Sequence, residues 1–179
     1  MMKQRLTRRV TWIYAAALFL SLHYAFTVYI NSNFLVQYFS QSEVSLLYTI
    51  GSAITIIFFI ASPSLVRKFG NGRVLLTAIF LEATALFGIY MSQNSTAIAT
   101  FFICIQALPP LLLFGLDVFL EDTLRSEKTT GRVRSMYLTI INFAFLLSPL
   151  IVGSIVQNYS YKVIYLIAAG FCFFLFFVV

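Results

Sequence analysis

Charge is what this sequence has least of. Only 10% of its 179 residues are Asp, Glu, Lys or Arg, against about 25% in an ordinary soluble domain. Too few polar side chains remain to coat a globule in water, so the apolar surface must meet lipid. Histidine occurs once, at His23, and cysteine twice, at Cys104 and Cys172. Neither cysteine has zinc-type spacing or a C-x-x-C partner, and both sit in apolar runs, where they read as small buried hydrophobes. No Walker loop, H-E-x-x-H or G-x-S-x-G occurs, and no intramembrane Asp pair. The chain therefore lacks a catalytic set, a metal-ligand set and a cofactor motif, which argues against an enzyme. Acidic residues are half as many as basic ones, leaving a net charge of +6. The basic residues fall in short clusters between apolar runs, without interleaved aromatics on a polar background, and this argues against nucleic acid as a partner.

What the chain has is apolar length. Hydrophobic residues make up 60%, and Phe alone contributes 20. A helix needs about 20 apolar residues to cross a bilayer. Six stretches qualify or nearly do: 10–30, 44–65, 74–92, 96–120, 135–157 and 162–179. The runs are continuously apolar, whereas barrel strands alternate over about 10 positions, which makes a β-barrel a poor alternative. The expectation is an all-α membrane protein, one bundle of six transmembrane helices with the lipid bilayer as its main partner. Lys3, Arg5, Arg8 and Arg9 precede the first run. That run exceeds the roughly 7–15 residues of a signal-peptide core, so it reads as a retained anchor. The last run is near the lower length limit and lacks a polar anchor, so the chain reads as cut off or as part of a longer product.

Eleven of the twelve basic residues lie in the N-terminal tail and in the second and fourth connections, with Lys162 alone on the other side. The positive-inside rule then places the N-terminus in the cytoplasm of a multi-pass protein of the plasma or inner membrane.

Several residues stand out against this background. Glu82 is the one charge near the middle of a run, and an intramembrane carboxylate is costly enough to suggest a proton or cation site. A hydrogen-bonded structural carboxyl is the alternative. His23 and Tyr24 lie mid-helix in the first run, and Gln106 precedes the Pro109-Pro110 pair that must kink or break the fourth. Asp117 and Glu121 share one face at the end of that fourth run. We expect Asp117 to pair with a cation of the 67–73 turn or with Arg134. An exposed interfacial carboxylate is the alternative. In the turn itself, Gly70 and Gly72 permit positive φ between Arg67, Lys68 and Arg73. In the fifth run, Pro149 frees a carbonyl, and Gly153 permits a neighbour to approach closely.

The segment Pro63-Ser-Leu-Val-Arg-Lys-Phe-Gly-Asn-Gly-Arg73 resembles the loop between the second and third helices of the major facilitator superfamily. Leu65, Lys68 and Gly70 match that pattern, with Arg73 just beyond it. Pro63 replaces a Gly and Arg67 replaces an Asp, which alters the family's charge network. Ser148-Pro149-Leu-Ile-Val-Gly153 resembles the family's fifth-helix motif, with Pro149 and Gly153 matching. The resemblance covers essentially the whole chain and implies the N-terminal half of a twelve-helix secondary transporter. Such a half would rock against a second six-helix bundle, from the same gene or a homodimer, and move a small-molecule substrate by alternating access. It also implies that the first and fourth helices line the cavity. The fourth-helix Arg of many proton-coupled relatives is absent. The other reading is a standalone six-helix protein, either a homodimeric small carrier or a non-transporting scaffold.

Overall fold

The computed structural model describes the backbone of residues 2–124 and 127–179 and the side chains of 9–124 and 130–179. Lys3, Arg5 and Arg8 of the tail, and Arg125 and Lys128 of the fourth connection, lie outside the described side chains. Among the described residues eight helices follow one another: α1 (Met2–Val28), α2 (Asn31–Leu35), α3 (Gln41–Phe69), α4 (Asn71–Met91), α5 (Ser95–Ala107), α6 (Pro109–Thr123), α7 (Glu127–Asn158) and α8 (Tyr161–Val178). Six spans are long and apolar enough to cross a membrane, because α5 and α6 together form the fourth, over Ser95–Thr123.

Local chemistry explains where the helices begin and turn. Ser40 and Glu43 form a capping box at the start of α3, with the Ser40 N–H donating to the Glu43 carboxylate at 2.8 Å. This accounts for the lone charge in that connection. Asn94 caps α5 by accepting from the Thr96 N–H at 2.8 Å. Gly70 turns the chain between α3 and α4 at φ 85°, ψ 143°, a region that a Cβ disfavours. Gly72 does not share this role, because it already lies inside α4.

Around the bundle the helices pack in the order α3, α5–α6, α1, α7, α8, α4, with α1 also on α8 and α4 also on α5 and α6. The core is made of small and branched side chains at these crossings: Ala16 and Ala17 on α1, Ala78, Ile79 and Leu86 on α4, Ala168 on α8. Phe26 of α1 meets Phe171 of α8 edge-on, with ring centroids 5.3 Å apart. The far end, away from the chain's N-terminus, is tied by Tyr165, whose hydroxyl donates to the Asn31 side chain at 2.8 Å. Lys162 there donates to the Ser92 carbonyl and lies over the Tyr38 ring.

α3 and α7 are different. They flank opposite sides of the α1 and α5–α6 layer and turn wide apolar faces outward, with Ile60 on α3 and Leu150 on α7 each 74% exposed.

Candidate functional site

Pro cannot donate a backbone hydrogen bond, so each helical proline orphans the carbonyl four residues before it, which is costly in lipid. Three of the four prolines here meet one solution. Pro63 frees the Phe59 carbonyl, which accepts from the Ser62 hydroxyl at 2.7 Å. Pro110 frees the Gln106 carbonyl, which accepts from Thr55 of α3 at 3.0 Å. Pro149 frees the Phe145 carbonyl, which Tyr29 reaches from the end of α1 at 3.3 Å. The double proline breaks the fourth span at Leu108, where the N–H groups of Leu111 and Leu112 both turn to the Leu108 carbonyl. Thr55 and Tyr29 carry no motif that marks them in the sequence. The signal available was the proline spacing, which says which carbonyls need a donor but not which side chain supplies it.

The Thr55 bond makes a simple prediction. Thr55→Val should lower the stability of the purified protein by about 0.6–1.7 kcal/mol, the range for interhelical hydrogen bonds in membranes. Thr55→Ser should restore it. Equal melting temperatures for wild type and Thr55→Val would show that the carbonyl needs no donor.

Gln106 itself packs side-on against α3. A Cβ built on Gly51 would come within 2.8 Å of its Cγ, so the α3–α5 crossing is tight at this point. Near it, Tyr48 of α3 meets Phe102 of α5 edge-on at 5.0 Å. Tyr24, on α1, meets Phe145 of α7 edge-on at 5.9 Å. Tyr24, Tyr48 and Gln106 are all partly buried. They lie on α1, α3 and α5, in the layer of α1 and α5–α6 and on its α3 flank.

Behind this layer lies the pair that the sequence named separately. His23 Nε2 of α1 and Glu82 Oε1 of α4 are 3.3 Å apart, with both side chains at most 2% exposed. Glu82 is eleven residues into α4, which puts it about 16 Å along the helix and near mid-bilayer. In so dry a place separate charges are costly, whereas an acid–base pair that shares one proton has no net charge. His23 Nδ1 and Glu82 Oε2 have no partner among the described residues. Chemically, the pair can hold a proton and pass it between an imidazole and a carboxyl.

At the end of the bundle nearest the N-terminus the charges fall differently from expectation. Among the described residues Asp117 forms no ion pair; it lies beside the buried phenol of Tyr137. Glu121 is the carboxylate that meets Arg134, at 3.6 Å and largely exposed, where such a pair contributes little. Asp117 sits one turn earlier on α6, where the surface of α7 offers Tyr137 rather than the arginine. Arg67, Lys68 and Arg73 have no carboxylate within 4.0 Å among the described residues. Leu65 is half-buried on α3. Ser148 is buried and donates to the Ala144 carbonyl at 2.6 Å. Pro149 and Gly153 face outward, and no atom lies within 4 Å of a Cβ built on Gly153. The close neighbour expected at Gly153 is thus not supplied by this chain's described residues. No group of three or more His, Cys, Asp or Glu among the described residues suits a metal ion.

Six apolar spans, a broken fourth helix and a buried His–Glu pair define a polytopic membrane protein. Residues 13–179 match the sequence profile of the Major Facilitator Superfamily, and the chain belongs to that family of membrane transporters. No curated protein matches the chain.

Proposed function

We propose that this chain is the six-helix half of a secondary active transporter. It moves a small solute by rocking against a second six-helix bundle, with the N-terminus in the cytoplasm. The observation that carries this reading is the exposure of α3 and α7, the two spans that flank the α1 and α5–α6 layer and cover the least of their own surface. A layer with two such flanks is half of a cleft, and a second bundle supplies the other half. Tyr24, Tyr48 and Gln106 then border the solute, and two phenols and an amide, all uncharged, favour neutral or amphipathic molecules. His23 and Glu82 lie one layer deeper, placed to hold a coupling proton rather than to touch the solute. The cytoplasmic orientation rests on the basic residues gathered at the N-terminal end.

The test is uptake in proteoliposomes across a panel of neutral and amphipathic solutes, with and without a pH gradient. The chain is reconstituted alone and together with a six-helix companion. We expect uptake only when both bundles are present. Full uptake by the monodisperse, monomeric chain would overturn the half-transporter reading.

A further inference from the structure

α3 and α4 are joined at Gly70 but pack little against each other, and between them opens a slot of about 470 Å³. That volume is in the range of small-molecule sites, about 300–1,000 Å³. Phe58, Leu65 and Phe69 form one wall and Val74, Ala78 and Leu81 the other. Leu108 and Leu111 form the floor, at the break in the fourth span. Thr77 and Arg73 are the lining residues that are not apolar. The slot runs along α4 from Arg73 in its first turn to Leu81, about 12 Å at the helical rise. Its charged end is therefore at the membrane surface and its apolar end deep in the hydrocarbon, the same polarity as a lipid.

Among the described residues the charge at the mouth has no counterion. Arg67, Lys68 and Arg73 have no carboxylate within 4.0 Å among the described residues. Four acids are placed elsewhere: Glu43 in a capping box, Glu82 with His23, Glu121 with Arg134, and Asp117 beside Tyr137; Asp122 is exposed on α6 and forms no ion pair among the described residues, and the Glu127 side chain lies outside them. Lys68 folds over the Phe69 ring at 5.1 Å, on the rim of the slot. Exposed basic residues at a bilayer surface attract anionic headgroups. We propose that the α3–α4 slot binds one anionic phospholipid, with an acyl chain against Leu65, Leu81 and Leu111 and the phosphate on Arg73. A chain lodged there presses on Leu108 and Leu111, so the bound lipid braces the broken fourth span.

The experiment is native mass spectrometry of the purified full chain in mild detergent, with equimolar phosphatidylglycerol and phosphatidylcholine. Glycerol 3-phosphate serves as a headgroup without acyl chains. Retention of phosphatidylglycerol over phosphatidylcholine is expected. Arg73→Gln should weaken it about fivefold, the effect of removing one interfacial cation. Thr77→Trp, at an exposed position on the slot wall, should abolish the preference with Arg73 still present. Arg132→Gln, on α7, should leave it unchanged. Both slot variants should elute as wild type, because neither residue is buried. Equal retention of both lipids would overturn the proposal, as would equal effects of Arg132→Gln and Arg73→Gln, which mean diffuse surface attraction only. Unchanged binding in Thr77→Trp would place the acyl chain elsewhere and also overturn it. Displacement by glycerol 3-phosphate would mean an anion site without a lipid. A dimer of the chain that Thr77→Trp dissociates would mean that a second copy fills the slot.

Discussion

Glu82→Leu should destabilise the bundle by about 3–5 kcal/mol, because it leaves His23 buried without its partner. His23 is 0% exposed and the carboxylate oxygen 3.3 Å away is its hydrogen-bond partner. Total stability of a domain is about 5–15 kcal/mol, so the single variant should lose most of its monodisperse yield. Replacing both residues, His23→Leu with Glu82→Leu, should recover most of the loss, since a buried pair exchanged for packed hydrophobes is often neutral or stabilising. Thermal unfolding of the three proteins in detergent measures this. A Glu82→Leu variant as stable as wild type would mean that the two side chains do not depend on each other. The same residue separates a structural from a coupling role. Glu82→Gln keeps a hydrogen-bonding group of the same size and cannot release a proton. It should preserve the fold while flattening the pH dependence of uptake. Unchanged uptake with unchanged pH dependence would remove the coupling role and leave the pair as a tie between α1 and α4.

That pair shows what a membrane sequence conceals. Its members are separated by 59 positions in the chain, and each was notable alone because a polar group in a long apolar run is rare. Their meeting depends on the rotation of α1 and α4 about their own axes. In a soluble helix the apolar stripe reports that rotation. Here it does not, because lipid-facing and core-facing residues are alike: on α3, Ile56, Ile57, Phe59 and Ile60 are exposed, while Val44 and Leu47 of the same helix are buried. For the same reason Asp117 was expected opposite a cation and lies beside Tyr137 instead. Features carried by the backbone were easier to read. Continuous apolar runs marked the six spans, and two adjacent prolines without N–H groups marked the break at Leu108. The turn at 70–72 held two glycines, and nothing local says that only Gly70 takes positive φ. Tyr48 has no mark in the sequence, because a tyrosine among many apolar residues gains meaning only from the helix opposite.

Gly115 and Gly153 should respond in opposite ways to the same substitution. A Cβ on Gly115 would stand 3.2 Å from Leu75 Cδ1 and 3.3 Å from Asn71 Oδ1, so α4 and α6 cross closely there. The Asn71 side chain also donates to the Gly115 carbonyl at 2.8 Å, fastening the start of α4 to α6. Gly115→Leu must force the two helices apart. Overpacking of this kind costs about 1–3 kcal/mol, and the lost interhelical hydrogen bond adds about 0.6–1.7 kcal/mol. Gly153 has no atom within 4 Å of its built Cβ and is exposed on α7. Gly153→Leu should therefore change the stability of the isolated chain by less than about 0.5 kcal/mol. If α7 faces a second bundle, however, that leucine lies in the contact, and small residues are what let membrane helices approach. We expect Gly153→Leu to leave the melting temperature of the chain unchanged while lowering both its association with a six-helix companion and the resulting uptake. Wild-type stability in Gly115→Leu would show that the α4–α6 crossing is loose. Wild-type association and uptake in Gly153→Leu would turn the exposed face of α7 toward lipid and take with it the main support for a cleft shared between two bundles.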